Sequence, residues 1–498
     1  MTAYDLVLTG GRLVRPELDR TDEGLDLAVR DGRVAAIAPG LAAEAAAAGA
    51  GTEIVDVGGR LVFPGSVDAH THMGIYNPLD VDADSESRAA AVGGTTTVLN
   101  YMRTGQYYLN QGGPYEAFFP QVLELMEGRS FVDYAFHLAP MEARHIEEIP
   151  MLVERFGVTS FKIFMFYGSH GLHGRSDDQS SFLMTPPGER YDYAHFEFVM
   201  RGIQRTREQF PDLADTISLS LHCETAEIMA AYTKLVEEAG ELSGLAAYSA
   251  SRPPHSEGLA VTIASYLAHE TELATINLLH LSGAKAMDAA LRMARAFPHV
   301  DFRREVTIGH LLADIETANG VYGKVNPPIR PRGDVEALWG HVLAGEVDWV
   351  VSDHACCREE AKRSAEHPDD IWLAKSGFGG TEYLLSGLYS EGTKRGLSAA
   401  AVARLVSTNP ARRYGLAGKG SLEVGADADL AVLDPSVSYV VRADESPSSQ
   451  GYTPFEGHEL SGRVTDVWLG GRRILDAGSV VGPPTGRYQA RGPRGPHT

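Results

Sequence analysis

Residues 61–72, LVFPGSVDAHTH, carry the reading that decides the fold. The run is largely apolar, closes on two histidines one residue apart, and precedes a stretch of helical composition. Seven further runs share this texture: TTTVLNYM (95–102), VDYAFHLA (132–139), SFKIFMFY (160–167), ISLSLHCE (217–224), INLLHLSG (276–283), REVTIGHL (304–311) and VDWVVSDHA (347–355). Near-continuous apolar runs are what strands of a parallel sheet need when both faces are covered. About eight such units predict an α/β fold, a TIM-like (β/α)8 barrel over residues 61–420.

Outward from the barrel, the two ends of the chain look alike. The first sixty residues read as short strands joined by tight turns. Gly10-Gly11 and Asp31-Gly32 are predicted hairpin connections, as is Gly470-Gly471 near the other end. Neither end is long enough to bury a core alone. They are therefore expected to combine, 1–60 with 421–481, into one small β-sandwich domain. The alanine-rich stretch 41–50 reads as a helical turn or a surface loop. Residues 482–498 read as a disordered tail.

The composition agrees with a folded enzyme-sized chain. Of 498 residues, 44% are hydrophobic and 22% charged. With 44 basic against 66 acidic side chains the formal charge is −22. This disfavours a nucleic-acid or anionic-membrane partner, either of which calls for a basic face. Three cysteines, two of them adjacent (Cys356 and Cys357), suit a reducing compartment better than a disulfide framework. No secretory leader or long apolar run is visible, so a cytoplasmic, soluble protein is expected.

The polar groups fall where a barrel would use them. His70 and His72 end the first run, Lys162 lies inside SFKIF, His222 ends SLSLH, His280 ends INLLH and Asp353 ends WVVSD. Barrel chemistry sits at the C-terminal ends of the strands. Alternate strand residues point the same way, so His70 and His72 can share a metal. Singly, each residue has an ordinary reading: a surface or packing histidine, a snorkelling lysine, a helix-capping aspartate. Their joint placement at five strand ends favours one site.

With Asp68-Ala-His70-Thr-His72, Ser160-Phe-Lys162, His222, His280 and Ser352-Asp353-His354 in this order, the chain resembles the cyclic amidohydrolases, most of all the dihydropyrimidinase/hydantoinase branch. GVTSFKIFMFY (157–167), SRPPHSEGLA (251–260), LLHLSGAKAM (278–287), KVNPPIR (324–330) and GKGSLEVGADADLAVLDP (418–435) extend the likeness over nearly the whole chain. The resemblance implies two divalent metal ions, zinc by expectation. His70, His72 and Asp353 would hold one, His222 and His280 the other, and a carbamylated Lys162 would bridge them. It further implies attack on a ring carbonyl by a hydroxide between the ions, with Asp353 as the proton carrier and Tyr167 as oxyanion donor. Backbone groups at Ser282 and Asn326 would hold the ring's amide edge. A homo-oligomer, tetramer or dimer, is implied too. His137, His170, His173 and His310 receive no metal role, and Asp427 and Asp429 read as turn or cap residues.

Departures from the pattern bear on the substrate. Dihydroorotases share KVNPPIR but carry an arginine where this chain has Gly74, which removes a partner for a substrate carboxylate. Arg103, in NYMRTGQYY, could replace it, although a solvated loop arginine is its ordinary reading. The loop 168–190 could cover the mouth, and Cys223 could narrow the pocket. The leading expectation is a hydrolase opening a hydantoin, dihydropyrimidine or related cyclic ureide. Alternatives are an allantoinase-type or other cyclic amidase, a mononuclear deaminase, or a non-catalytic scaffold.

Overall fold

The structure is a computed structural model that describes residues 4–48, 51–167, 171–172 and 179–493. Eight strands make the barrel: β1 (Ser66–Thr71), β2 (Thr95–Met102), β3 (Asp133–Leu138), β4 (Ser160–Phe164), β5 (Ser218–His222), β6 (Thr275–Leu278), β7 (Asp301–Thr307) and β8 (Trp349–Val351). They pair in sequence order, and all seven ladders are parallel. A parallel bridge from Thr71 to His354 brings β1 back beside the end of β8. All eight residues of β2 are buried, as covered faces demand.

The intervening helices bury one stripe each. In Ala143–Phe156 the buried positions are His145, Ile146, Ile149, Leu152 and Val153, spaced three and four apart, and Gly157 follows with a left-handed φ of 66°.

The run LVFPGSVDAH is two strands, not one. Leu61–Pro64 pairs antiparallel with Leu430–Val440, and the barrel begins only at Ser66. Gly65 stands at the switch, where a Cβ would lie 2.2 Å from Thr96 Oγ1. Both chain ends contribute to a seven-stranded sheet that places Arg12–Arg15 and Leu61–Pro64 beside Leu430–Val440, Glu459–Leu469 and Arg472–Asp476. A four-stranded sheet holds Leu6–Thr9, Asp26–Arg30, Arg33–Ala38 and Glu53–Asp56. Leu8, Val29, Val62, Leu430, Val432 and Trp468 share one apolar cluster.

Two turn readings hold and one does not. Asp26–Arg30 and Arg33–Ala38 form the hairpin expected at Asp31-Gly32, and Leu469 pairs with Arg472 across Gly470-Gly471. Gly10-Gly11, however, connects strands of different sheets: Leu6–Thr9 pairs with Asp26–Arg30, whereas Arg12–Arg15 pairs with Arg20–Asp22. Leu41–Ala48 is an α-helix.

The tail expected to be disordered from residue 482 is instead docked as far as residue 493. Tyr134 N–H donates to Arg487 O and Gln489 N–H to Tyr134 O. Arg491 is buried, with Nη1 donating to Ser160 Oγ at 2.9 Å and Nη2 to Phe136 O at 2.6 Å. A segment rich in Gly, Pro and Arg can be ordered by carbonyls exposed at the foot of a barrel, which composition does not reveal. Among the described residues, no helix is long and apolar enough to cross a membrane.

Candidate metal centre

Three barrel segments converge first. His70 lies in β1, His72 one residue beyond it, Lys162 inside β4 and Asp353 two residues past β8. Lys162 Nζ is 2.5 Å from His70 Nε2 and 3.3 Å from His72 Nε2. Asp353 Oδ1 is 3.0 and 3.2 Å from the same two nitrogens. His222 at the end of β5 and His280 beyond β6 complete the cluster, their ring centres 4.3 Å apart, with His280 5.5 Å from the His70 ring. His280 and Asp353 reach it with φ of 34° and 56°. That left-handed backbone costs a residue with a Cβ about 1–3 kcal/mol, a cost typical of functional positions.

Buried carboxylates and a phenol orient the rings. Glu305 Oε1 accepts from His70 Nδ1 at 2.8 Å, so His70 Nε2 presents its lone pair to the cluster. Glu224 Oε2 accepts from His222 Nε2 at 2.7 Å and is itself held by Arg252 Nη1 at 2.6 Å. His222 Nδ1 is then a lone pair, buried and without a hydrogen-bond partner, and His280 Nδ1 is likewise unpartnered. Tyr108 OH lies 2.8 Å from His72 Nδ1.

The protonation states follow from burial. Desolvation pushes His222 and His280 well below the usual imidazole range, and His72 to about 3, where the Lys162 charge adds to the effect. Burial lowers the Lys162 amine to about 8 against the pull of Asp353 and Glu305. Burial would raise the Asp353 carboxyl, but His70 and His72 outweigh it and hold it well below the carboxylate range. His70 runs the other way: burial opposes its charge, but the Asp353 and Glu305 carboxylates outweigh burial and raise it, so its proton is the one a bound cation would displace. Neutral imidazoles at His72, His222 and His280, an ionised carboxylate and the orphaned ring nitrogen of His222 are the donor set of a divalent cation such as zinc. His70, His72 and Asp353 each place a ligand atom within 4.8 Å of the others.

A second close group, Asp82, Glu86 and Cys356, is a tie between segments. Gly74 N–H and Asn77 Nδ2 occupy Asp82. His354, Ser448 and Ser449 occupy Glu86.

A cavity opens on the main cluster, lined by His72, Lys162, Tyr167, His222, His280, Asn326 and Asp353 among others. Tyr167 is buried and stacks on Phe164, ring centres 4.7 Å apart. Asn326 is also on the wall, but its side chain is engaged: Nδ2 donates to Leu172 O at 3.0 Å and Oδ1 accepts from Tyr248 OH at 2.5 Å. Ser282 is not among the lining residues. Its N–H and hydroxyl both donate to Glu257, which also pairs with Arg330 at 2.7 Å.

Other expectations are settled more simply. His137 and His310 spend a ring nitrogen on Ala69 O and Pro327 O. His170, His173 and most of the glycine-rich part of 168–190 lie outside the described residues. Gly74 has φ 85° and would place a Cβ 3.0 Å from Leu79, so its backbone does not suit an arginine. Arg103 is not the solvated loop residue its position suggested; it is fully buried among Tyr108, Tyr167 and Phe182. The aromatic residues that enclose it are distant in sequence, which is why the burial was not visible there.

Sequence reasoning passed over Glu305, Glu224 and Tyr108. The signal for the two acids was present: REVT and SLSLHCE each set a carboxylate inside or directly after an apolar strand, where only a partnered charge is tolerated.

The geometry can be set beside known proteins. The sequence profile of the amidohydrolase family matches residues 218–474. An allantoinase from Rubrobacter xylanophilus is 33% identical over 495 residues, 98% of each chain. A D-hydantoinase from Geobacillus stearothermophilus is 30% identical over 482 residues, covering 94% of this chain and 93% of that one. Among solved structures, a crystal structure of D-hydantoinase superposes with a TM-score of 0.83 at 25% identity over 98% of both chains. Another, of D-hydantoinase from Thermus sp., has a TM-score of 0.79 at 26% identity, covering 98% of this chain and 99% of that one. With full-length likeness of sequence and fold around a strand-end cluster of histidines and an aspartate, the chain belongs to the amidohydrolase family.

Proposed function

We propose that the protein is a metal-dependent hydrolase that opens the ring of a cyclic amide, imide or ureide. The observation that carries this reading is the convergence of His70, His72, Lys162, His222, His280 and Asp353 on one cavity. His70, His72 and Asp353 would hold one divalent cation, with zinc the first choice, and His222 and His280 a second. Lys162 suits the bridging position once carbamylated. Burial lowers its amine to about 8, which leaves a reactive minority of free amine near neutral pH. Addition of carbon dioxide to that amine, with loss of a proton, replaces a cation that repels metal by an anionic oxygen donor. Two such ions supply a water acidified to near neutrality and a Lewis acid for the ring carbonyl.

The chain's own groups account for the proton traffic and the charge. Asp353 is ionised in the resting site and lies on the cavity wall, so it can take the proton of the attacking water and return it to the leaving ring nitrogen. Tyr167, also on the wall, keeps its phenolic proton because burial raises its pKa. It is therefore a donor to the carbonyl oxygen as negative charge develops there. Asn326, its side chain tied to Leu172 and Tyr248, can offer only backbone groups to the ring's amide edge. Ser282, already donating to Glu257, can offer that edge its carbonyl alone.

Within this class the rings to test first are hydantoins, dihydropyrimidines and allantoin. The 33% identity to an allantoinase favours including allantoin from the outset. The experiment is a ring panel with zinc-loaded protein, following amide ultraviolet absorbance and the carbamoyl product. Opening of at least one ring, lost in Asp353→Asn, supports the reading. No turnover of any ring overturns it. A homo-oligomer in the cytoplasm remains part of the same proposal, to be read from light scattering and fractionation.

A further inference from the structure

Arg103 presents a physical problem that the chemistry above does not use. It follows directly on β2, is fully buried, and is in no ion pair among the described residues. Its Nη1 donates to Thr104 O at 2.8 Å, while Nε and Nη2 meet no well-formed hydrogen-bond acceptor among the described residues. The guanidinium also interacts as a donor with the Tyr167 hydroxyl. The rest of its support there is aromatic: the guanidinium carbon lies 5.1 Å from the Tyr108 ring centre, 5.2 Å from that of Tyr167 and 4.7 Å from that of Phe182. Such contacts offset about 0.5–2 kcal/mol, well short of the desolvation of an unpaired cation. A leucine or methionine would fill the same space without that penalty. The backbone also makes room for it, since a Cβ on Gly105 (φ 109°) would lie 2.5 Å from Arg103 Nη1.

The two tyrosines that hold the cation are cavity residues. Tyr108 and Tyr167 both line the wall, and Tyr108 OH touches His72 Nδ1. A charge in a dry aromatic surround acts on neighbouring dipoles with little screening. A cation behind a phenol draws electron density from its oxygen and strengthens its O–H as a donor.

We propose that Arg103 is a positioning residue for ring opening: from behind the cavity wall it fixes the Tyr167 ring and polarises its hydroxyl toward the oxygen that gains charge. This rests on the ring-opening reading given above. The direction of the effect on the phenol agrees: burial raises Tyr167's pKa, and Arg103 works against that rise. The consequence is kinetic. Donation to a developing oxyanion is stronger in the transition state than in the bound substrate, so removing the cation should lower kcat and leave KM nearly unchanged.

The test uses the full-length, zinc-loaded protein with whichever ring it opens, in a cycle of Arg103→Met, Tyr167→Phe and the double variant. Expected is a fall in kcat of about 10- to 100-fold for Arg103→Met, with KM within about twofold. In the Tyr167→Phe background the same change should cost less than about twofold, because the group it acts through is gone. Arg103→Lys keeps the charge and should recover most of the kcat. If Arg103→Met does not fold, the comparison of Arg103→Lys with Arg103→Gln in both backgrounds replaces it. Two results overturn the inference: Arg103→Lys losing as much as the uncharged variant, or losses that multiply in the double variant, as independent packing defects would. An unreactive wild-type protein would instead defeat the ring-opening reading, and is told apart by that.

Discussion

Glu305 accepts a 2.8 Å hydrogen bond from His70 Nδ1 and, through its other oxygen, one from Trp349 Nε1 at the same distance. The carboxylate therefore fixes both the tautomer and the tilt of His70 from beneath the cluster. Glu305→Ala should weaken zinc binding about 10- to 100-fold, read by competition with a chromophoric chelator. Unchanged affinity would mean that His70 is not a ligand.

Lys162 makes the assembly of the site pH-dependent. Its amine is lowered to about 8 by burial. Protonated amine predominates below that pH and free amine above it, and only the free amine can add carbon dioxide. Reconstitution of metal-free protein with zinc at a constant concentration of dissolved carbon dioxide should therefore speed up as pH rises and level off above about 8. A rate independent of pH, or of carbon dioxide, under those conditions would remove the carbamate from the account. Lys162→Ala should fail to retain a second metal equivalent.

The His354–Glu86 pair, 2.8 Å apart and fully buried, ties the end of β8 to the helix Leu79–Val92. Gly380 N–H and Thr381 N–H both donate to His354 Nδ1, so the imidazole is neutral and donates to Glu86 from Nε2. Burial opposes the Glu86 charge, but the hydrogen bonds from His354 and Ser448 outweigh it and lower Glu86 from 4.5 to about 2. The carboxylate's contribution is complete above 4.5 and is lost as pH falls through about 2. Glu86→Ala should cost about 1–3 kcal/mol near pH 6 and flatten the acid-side decline, which urea unfolding at several pH values would show.

The docked C-terminal segment should contribute stability without touching the chemistry. Arg491→Ala removes the guanidinium donor to Phe136 O and Ser160 Oγ and leaves Phe136 O only the longer bond from the Ser160 hydroxyl. The expected cost is about 2–4 kcal/mol, with kcat of the folded variant unchanged. A thermal midpoint equal to that of the parent would contradict the docking.

Much of this was legible in the sequence, and for a definite reason. Strands buried on both faces leave apolar runs that need no partner information to be seen, so all eight barrel strands were readable. A polar group ending such a run has few structural uses, so His70, His72, Lys162, His222, His280 and Asp353 stood out. What was missed depends on contacts between distant segments. LVFPGSVDAH reads as one strand because nothing local says that Leu61–Pro64 pairs with Leu430–Val440. Gly10-Gly11 looks like a hairpin because its glycines suit one, while each flanking strand finds partners elsewhere. Arg103 and Arg491 look solvated because arginine commonly is; their burial is made by residues far along the chain. The sequence marks Ser282 as a backbone contact to the ring's amide edge, but does not show that both its donors go to Glu257, 25 residues away, which leaves only its carbonyl for that role.

The most direct test of the account is anomalous diffraction at the zinc edge from crystals of zinc-loaded protein. The account predicts two peaks, one among His70, His72 and Asp353 and one between His222 and His280, with density extending beyond Lys162 Nζ to both. A single peak, or zinc bound away from these side chains, would contradict it.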